Sequence, residues 1–229
     1  MPDYSNFIPP TPQAAGYSME DANNQICRGW QKLVGDYKRL EHPTREQHAF
    51  TVERAKECMA VLETVAMQNT EEYVGCTILY KNCVEIVDCV KRLEYHEKGE
   101  DGEWKKERLG PFEDLKLPGQ GDSWQKKYEN SNARIIEEFY NTHPDGAYAL
   151  QQIRAQIEPL EAQLDDLKDE KRGKGFFNFD AKREVKQRMA PVKDEIKALR
   201  QQEDQIETAA RRYASERLND LPSYVRLSF

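Results

Sequence analysis

Apolar residues recur every three or four positions over most of the chain, the spacing that places them on one face of a helix. Two such stripes lie in the first half. The short break between them, at residues 68–70, predicts two antiparallel helices packed stripe against stripe. The apolar positions are Val52, Ala55, Met59, Leu62 and Ala66 in the first stripe, and Cys76, Leu79, Cys83, Ile86, Val90 and Leu93 in the second.

Local signals indicate where the helices of this first half begin and end. Thr44 precedes the first stripe and Gln47 follows three residues later, the capping-box spacing in which each side chain accepts from the main-chain N–H of the other residue. An earlier helix is predicted over about residues 19–40, broken by Gly29 and Gly35. We therefore expect these helices to pack as a bundle.

The second half carries the longest helical pattern. Apolar residues step by threes and fours over residues 150–167 and again over 185–213, with one gap at Glu203 in the second run. A glycine-containing break at 173–175 separates the two runs. Two heptad-like helices with a short connection predict an antiparallel coiled-coil hairpin. Its arms are expected over residues 147–172 and 180–214. The predicted fold class is thus all-α, with an N-terminal helical bundle followed by this hairpin.

The position of the predicted turn determines which residues of the two arms lie opposite each other. Folding about residue 175 places Pro159 and Pro191 at one level, where each proline removes a main-chain donor and bends its helix. The apolar stripe of the second arm continues past the first arm, so its last residues need cover from the N-terminal helices or from another copy. Opposite charges are expected on the flanks, with Glu161 and Asp165 on one arm and Lys193 and Lys197 on the other.

Proline and glycine divide the rest of the chain. The four prolines of the N-terminal arm exclude a helix, leaving either a disordered tail or a segment that folds against a partner or its own body. The C-terminal tail leaves its helix at Pro222, and it either packs back or is captured by a partner. The predicted parts are an extended arm (1–18), a helical bundle (19–98), a linker loop (99–122), a helix plus hairpin (123–218) and an apolar tail (219–229).

Composition narrows the class of protein. Apolar residues are 38% and charged residues 33% of the 229, against roughly 45–50% and 25% in an average domain, which is too polar for a membrane-embedded chain. The formal net charge of −7 disfavours nucleic acid and acidic membranes as partners of the whole surface. The five cysteines form no close pair, which favours a reduced compartment and, within it, the cytoplasm.

One segment departs from this acidic character. Eight basic and four acidic residues between Lys168 and Arg188 give a net charge of +4, leaving −11 on the rest, and three phenylalanines lie at the expected turn. Phenylalanine rings at a projecting turn can enter a partner's pocket or a membrane interface, or they can fold back and cap the hairpin core. The predicted partner-binding residues are Lys171, Arg172, Lys174, Phe176, Phe177, Phe179, Lys182 and Arg183.

No arrangement typical of catalysis stands out along the chain. The cysteines of the second apolar stripe are seven residues apart, about 10 Å along a helix, too far to share one zinc ion. We interpret the cysteines as buried small hydrophobes and the four histidines as surface or turn residues. No metal site, cofactor or catalytic residue is predicted.

The sequence therefore favours a non-enzymatic scaffold or adaptor that docks protein partners within a larger assembly, through the basic phenylalanine-rich turn and the terminal arms. Self-association through the uncovered apolar stripe belongs to the same hypothesis. One alternative is a peripheral membrane protein that uses the same turn as a wedge. A second alternative is an enzyme whose site residues converge only in three dimensions. A positive patch of this size is too small for tracking a phosphate backbone, so nucleic acid is not expected.

Overall fold

A computed structural model describes residues 7–10, 18–69, 71–108, 124–174 and 178–229. This part of the chain is mainly helical, as the sequence predicted, and its one sheet has two strands. The elements are α1 (Met19–Lys38), α2 (Arg45–Gln68), α3 (Tyr73–Arg92), β1 (Tyr95–Lys98), β2 (Trp104–Glu107), α4 (Trp124–Thr142), α5 (Pro144–Gly173) and α6 (Phe179–Asn219).

The chain divides into two compact units, which are described separately. The first comprises the residues up to Ile135 together with Arg217–Phe229, and the second comprises Ile136–Glu216. The thirteen residues Arg217–Phe229 therefore belong with the first helices, although α5 and most of α6 intervene in sequence. Helical periodicity relates residues only a few positions apart, so it could not show this packing of the C-terminal residues against the first helices.

Three helices form the core of the first unit. α1 packs against α2 and α3, and α2 packs against α3, so the predicted pairing of the two apolar stripes is confirmed. The capping box at the start of α2 is present: Thr44 N–H donates to Gln47 Oε1 (2.8 Å), and Gln47 N–H donates to Thr44 Oγ1 (3.3 Å). The largest fully buried side chains here include Trp30, Ile26, Leu33, Leu62, Leu79 and Ile86.

α1 is continuous, so the predicted breaks at Gly29 and Gly35 are wrong. Gly29 instead makes room for the N-terminal arm: a Cβ at this position would lie 2.0 Å from the ring of Phe7. Pro9, close to Phe7, is buried as well. The described part of the arm thus packs against α1 through Phe7. A Cβ at Gly35 would meet no atom within 4 Å, so Gly35 does not make room for another segment.

A small antiparallel sheet joins the end of the predicted helical bundle (19–98) to the start of the predicted linker (99–122). Strand β1 pairs with β2, and Gly102 between them has a φ of +83°, a left-handed conformation that costs glycine little. His96 N–H donates to the carbonyl of Pro43 (2.7 Å), which ties β1 to the loop before α2. The strands were missed because they are four residues long and strongly charged, with no apolar alternation to reveal them.

His48 also departs from its expected surface position. It is fully buried in α2, beside the ring of Tyr95, and its Nε2 lies 3.3 Å from the carbonyl of Leu93. Its Nδ1 has no hydrogen-bond partner. Burial lowers the pKa of His48, so the folded protein holds this imidazole in its neutral form.

The second unit is built on contacts between α5 and α6. Their apolar side chains pack in two clusters that share Leu160. The first cluster contains Leu167, Val185, Met189, Val192 and Ile196 with Leu160 and Leu164, and the second contains Ile153, Ile157 and Leu199 with Leu160 and Ile206.

Ion pairs between these helices set a register different from the predicted one. Glu161 pairs with Arg200 rather than with the expected Lys193 or Lys197, and Asp165 pairs within α5 with Lys168 (2.6 Å). Each exposed pair contributes under about 1 kcal/mol to the free energy of unfolding. The pairs therefore show which residues of α5 and α6 lie opposite each other, but they stabilise the unit little. The cross-helix pairs are Glu170 with Arg188 (3.0 Å), Glu161 with Arg200, and Arg154 with Glu203 (2.7 Å) and Glu207 (3.1 Å).

This register also separates the two prolines. Pro159 lies two residues before Glu161, and both α5 and α6 continue through their prolines. Glu161 pairs with Arg200, which is nine residues beyond Pro191. The prediction that Pro159 and Pro191 share one level is therefore wrong, because the partner of Glu161 lies farther along α6 than the predicted register places it.

The end of the apolar stripe on α6 finds cover within its own unit. Ile206 packs against the α5 residues Ile153 and Ile157. The ring of Tyr213 lies 5.6 Å from that of Phe139 in α4, and Ala210 is buried. The uncovered stripe from which self-association was inferred is thus packed against α5 and α4.

The two glycines of α1 provide a matched test of how the arm packs. Gly35→Ala should raise the free energy of unfolding by up to about 1 kcal/mol, because alanine is the better helix former and its Cβ meets nothing. Gly29→Ala should fail to give this gain, because its Cβ displaces Phe7. Urea unfolding measures both.

A Phe7→Ala background supplies the control for this comparison. With the ring removed, Gly29→Ala should become as favourable as Gly35→Ala. Equal gains from both substitutions in the unaltered chain would show that Phe7 does not pack on α1.

The lowered pKa of the buried His48 predicts that the protein is less stable in mild acid. The unfolded imidazole takes up a proton near pH 6.5, whereas the folded one does so only at lower pH. The unfolded state therefore binds more protons below about pH 6.5, and the free energy of unfolding falls as the pH drops below that value. His48→Gln should reduce the difference between urea unfolding at pH 7 and pH 5.5.

Candidate functional site

The predicted contact residues gather at the adjoining ends of α5 and α6. Lys171, Arg172 and Lys174 lie in the last turn of α5 and just beyond it, whereas Phe179 is the first residue of α6. Lys182 and Arg183 follow in α6, and Phe176 and Phe177 lie outside the described residues. We call the described residues 168–174 and 178–188 the basic tip.

Phe179 is the one aromatic residue among the described residues of the basic tip, and 70% of its surface is open to solvent. The Asn178 side chain accepts the main-chain N–H of Ala181 (3.3 Å), which caps the first turn of α6. For Phe179, the alternative in which the ring folds back to cap the hairpin core is therefore wrong.

Acidic neighbours on α5 take up part of the positive charge. Arg172 pairs with Asp169 (3.1 Å), and Lys174 and Arg188 share Glu170 (3.5 and 3.0 Å). The exposed basic residues of α6 are Arg183, Lys186 and Arg188, of which Arg188 is the partner of Glu170. Arg183 and Lys186 therefore present exposed positive charge within about two turns of Phe179.

A second arrangement, which the sequence did not reveal, lies in the first unit. Residues 221–229 form no helix or strand and lie across α1 and α3, where asparagine side chains bind their main chain. Asn24 donates from Nδ2 to the carbonyl of Ser223 (2.7 Å) and accepts at Oδ1 from the N–H of Val225 (2.6 Å). One amide side chain thus binds the segment as a neighbouring peptide group would.

Asn82 of α3 repeats this pattern one step along the segment. Its Nδ2 donates to the carbonyl of Val225 (2.9 Å), and its Oδ1 accepts the N–H of Leu227 (2.9 Å). Asn23 donates to the same carbonyl of Val225 (2.9 Å) and accepts a further hydrogen bond from Asn82 (2.7 Å). Alternate residues of the tail are therefore held on one edge, as in a strand pairing.

Two side chains of the segment are buried on this surface, Tyr224 and Leu227. Tyr224 lies over Gly75, where a Cβ would come within 3.0 Å of the phenol oxygen, and it donates a hydrogen bond to Glu72 (3.1 Å). We call this surface, with Asn23, Asn24, Glu72, Gly75 and Asn82, the tail groove.

An acidic depression of about 310 Å³ adjoins the Tyr224 end of the groove. Glu20, Glu71 and Glu72 line it, together with Arg217, whose guanidinium pairs with Asp220 (2.9 Å). Burial, and after it the Glu72 carboxylate, raises the pKa of Tyr224, so the phenol remains a donor at neutral pH. The groove therefore accepts a neutral tyrosine beside negative charge.

The sequence did carry a signal for the groove. Asn23 and Asn82 fall on the apolar faces of their helices, between Ala22 and Ile26 and between Leu79 and Cys83, and both are buried. A polar residue in such a stripe needs a hydrogen-bond partner in the fold. The search for helical periodicity considered only apolar residues, so neither Asn23 nor Asn82 was recognised as a buried polar residue.

The remaining candidate residues have structural surroundings. All five cysteines are buried, as predicted, and burial raises the pKa of Cys27 to about 12 and that of Cys89 to about 11, which leaves both as unreactive thiols. His42 and His96 face each other through Nδ1 (2.9 Å), with Trp104 stacked on His42. Over the described ranges, no three His, Cys, Asp or Glu side chains are grouped as metal ligands.

Comparisons of the chain with models of protein families, with curated proteins and with solved structures each found no match. Within the described part of the chain, no helix combines the length and the apolar character needed to cross a membrane. The function is therefore argued from the chain itself.

The groove predicts a large effect from one small substitution. Asn82→Ala removes the partner of the Leu227 N–H and one of the two donors to the Val225 carbonyl, so unfolding should require about 2–3 kcal/mol less. Urea unfolding measures the loss, and hydrogen exchange at Leu227 should accelerate. Asn141→Ala, at an exposed position of α4, should change stability by less than about 0.5 kcal/mol. Equal effects would show that the groove does not hold the tail.

Proposed function

We propose that the protein is a non-enzymatic helical scaffold or adaptor that docks an acidic protein partner through its basic tip. The observation that carries the proposal is the exposed Phe179 ring beside a cluster of exposed positive charges. Aromatic residues, phenylalanine among them, and arginine are enriched at the cores of protein interfaces.

The chemistry of the partner follows from charge. The basic tip has a net charge of +4 on a chain of −7, so it attracts acidic surfaces that the rest of the molecule repels. A partner that presents acidic residues around an apolar pocket would bind Phe179 and pair with Arg183 and Lys186. Binding of this kind needs positioned side chains but no nucleophile or acid–base pair.

We further propose that α5 and α6 form an antiparallel coiled coil which supports the basic tip. In support, Val185, Met189, Val192 and Ile196 alternate steps of four and three on α6 and pack against Leu167. The cross-helix ion pairs run in opposite directions along the two helices, as the proposal requires. The burial of all five cysteines as thiols supports placing the protein in a reduced compartment such as the cytoplasm.

The test is a photocrosslinking experiment in cells. A photoreactive phenylalanine at position 179 should crosslink to a defined protein. Capture of that protein should fall at least tenfold in the Phe179→Ser variant and in the Arg183→Glu, Lys186→Glu double variant. Tyr148→Ser is the matched control, because Tyr148 is 65% exposed and lies outside the basic tip; it should leave capture unchanged.

Two outcomes would contradict the proposal. Equal loss of capture with Tyr148→Ser would show that the basic tip has no special role. Sedimentation with vesicles of phosphatidylcholine and phosphatidylserine tests the membrane alternative. Binding to these vesicles that Phe179→Ser abolishes, without a protein crosslink, would replace the adaptor by a membrane wedge.

A further inference from the structure

A row of exposed basic residues begins in the basic tip and continues along α6 beyond it. The residues lie on one face of the helix, at positions within the series 179, 183, 186, 190, 193 and 197, which steps by fours and threes. At 3.6 residues per turn these positions fall within about 80° around the helix axis, on the side away from the apolar stripe. We call the four basic residues of this face the basic strip: Arg183, Lys186, Lys193 and Lys197, all of which are exposed.

The basic strip lacks the ion pairs that other basic residues of α6 form. Arg188 pairs with Glu170, and Arg200 pairs with Glu161. Among the described residues, by contrast, no carboxylate forms an ion pair with any of the four strip residues. Four positive charges over about 21 Å of helix therefore remain available for carboxylates of another molecule.

Acidic residues on the adjoining side of α6 confine the positive charge to a narrow area. A membrane or a nucleic acid would meet these carboxylates together with the strip, and both would be repelled by them. A partner that is one helix wide can contact the strip without covering the acidic side. The carboxylates belong to Asp180, Glu184, Asp194 and Glu195, which are all exposed.

The shape of this face also suits a helix. Ala190, between the tip and the far end of the strip, is exposed and small, so another helix can approach α6 closely there. At the far end an open depression of about 650 Å³ gives room for side chains of the partner. It is lined by Lys193, Ile196, Lys197, Arg200, Gln201, Asp204 and Gln205.

We propose that the acidic partner of the basic tip presents a helix which lies along the basic strip, with carboxylates three, seven and four residues apart facing the four strip residues. This inference rests on the proposed docking function of the basic tip. It extends the contact by about 16 Å, from Lys186 to Lys197. Two helices that cross at a small angle keep residues of this spacing in register over such a length.

Fluorescence anisotropy with labelled helical peptides tests the spacing directly. The matched probe is an alanine-rich peptide of about 20 residues with four glutamates spaced three, seven and four apart. It is made in both orders, because a partner helix can run in either direction along α6. The scrambled probe has the same composition, with its glutamates distributed around the helix, and circular dichroism checks that the probes are equally helical.

At low salt, we expect one matched probe to bind the full chain at least tenfold more tightly than the scrambled probe, and added salt to weaken this binding. Lys193→Glu with Lys197→Glu should weaken binding at least tenfold. A probe with lysine in place of the two glutamates that face these positions should restore it. Lys193→Gln with Lys197→Gln should weaken binding by a smaller factor.

The matched control reverses two exposed charges of the same spacing elsewhere. Arg28 and Lys32 lie four residues apart on α1, and both are exposed. Arg28→Glu with Lys32→Glu should leave binding of the matched probe unchanged within twofold. Equal binding of matched and scrambled probes, or equal loss with this control, would show that only net charge matters and would overturn the proposal.

Capture of the partner crosslinked at position 179 separates this inference from the function on which it rests. Capture that falls both with Phe179→Ser and with the Lys193→Glu, Lys197→Glu double variant supports the helix. Loss with Phe179→Ser alone would overturn the helix and leave the adaptor function standing. Capture that neither change reduces would overturn both.

Three further measurements test other occupants of the strip. The first two are binding of single-stranded DNA and binding of vesicles that contain phosphatidylserine. Either one as tight as binding of the matched probe would overturn the proposal. A dimer in sedimentation velocity that Lys193→Glu with Lys197→Glu dissociates would assign the strip to a second copy of the chain, and the proposal would fall.

Discussion

The buried amides of Asn23 and Asn82 impose the constraint on which the first unit depends. They lie on apolar helix faces, where an unpaired amide would cost about 1–3 kcal/mol. Neither α1 nor α3 can satisfy them alone, because helical main-chain groups are already paired. The main chain of Val225 and Leu227 supplies the missing partners. The C-terminal segment therefore belongs to the unit built by the first helices, despite the roughly 130 residues between α3 and the tail.

The two units present different kinds of surface. The basic tip offers an exposed phenylalanine ring and exposed basic residues. The tail groove is occupied, because directed hydrogen bonds and the two buried side chains of Tyr224 and Leu227 hold residues 221–229 on it.

The limits of prediction from sequence are visible in particular residues. The capping box at Thr44 was predictable because it depends on residues three apart. The ion pairs of Glu161 and Arg154 were not, because the register of two long helices depends on side-chain packing along both, and a shift of the turn by a few residues changes every pair. His48 was assigned to the surface because it belongs to no metal-binding or catalytic pattern in the sequence. Only its packing beside Tyr95 and Leu93 shows that it is buried.

The spacing of apolar residues in the sequence by itself determined the helical class, the pairing of α2 with α3 and the burial of the cysteines. The distribution of charged residues determined the concentration of positive charge near residues 168–188. These properties depend on composition and on residues within one or two helical turns of each other. The closure of the tail onto α1 and α3, the packing of Phe7 on Gly29 and the offset of α5 against α6 were decided only by tertiary structure. Each joins residues far apart in sequence, and which distant groups satisfy one another is settled only when the whole unit packs.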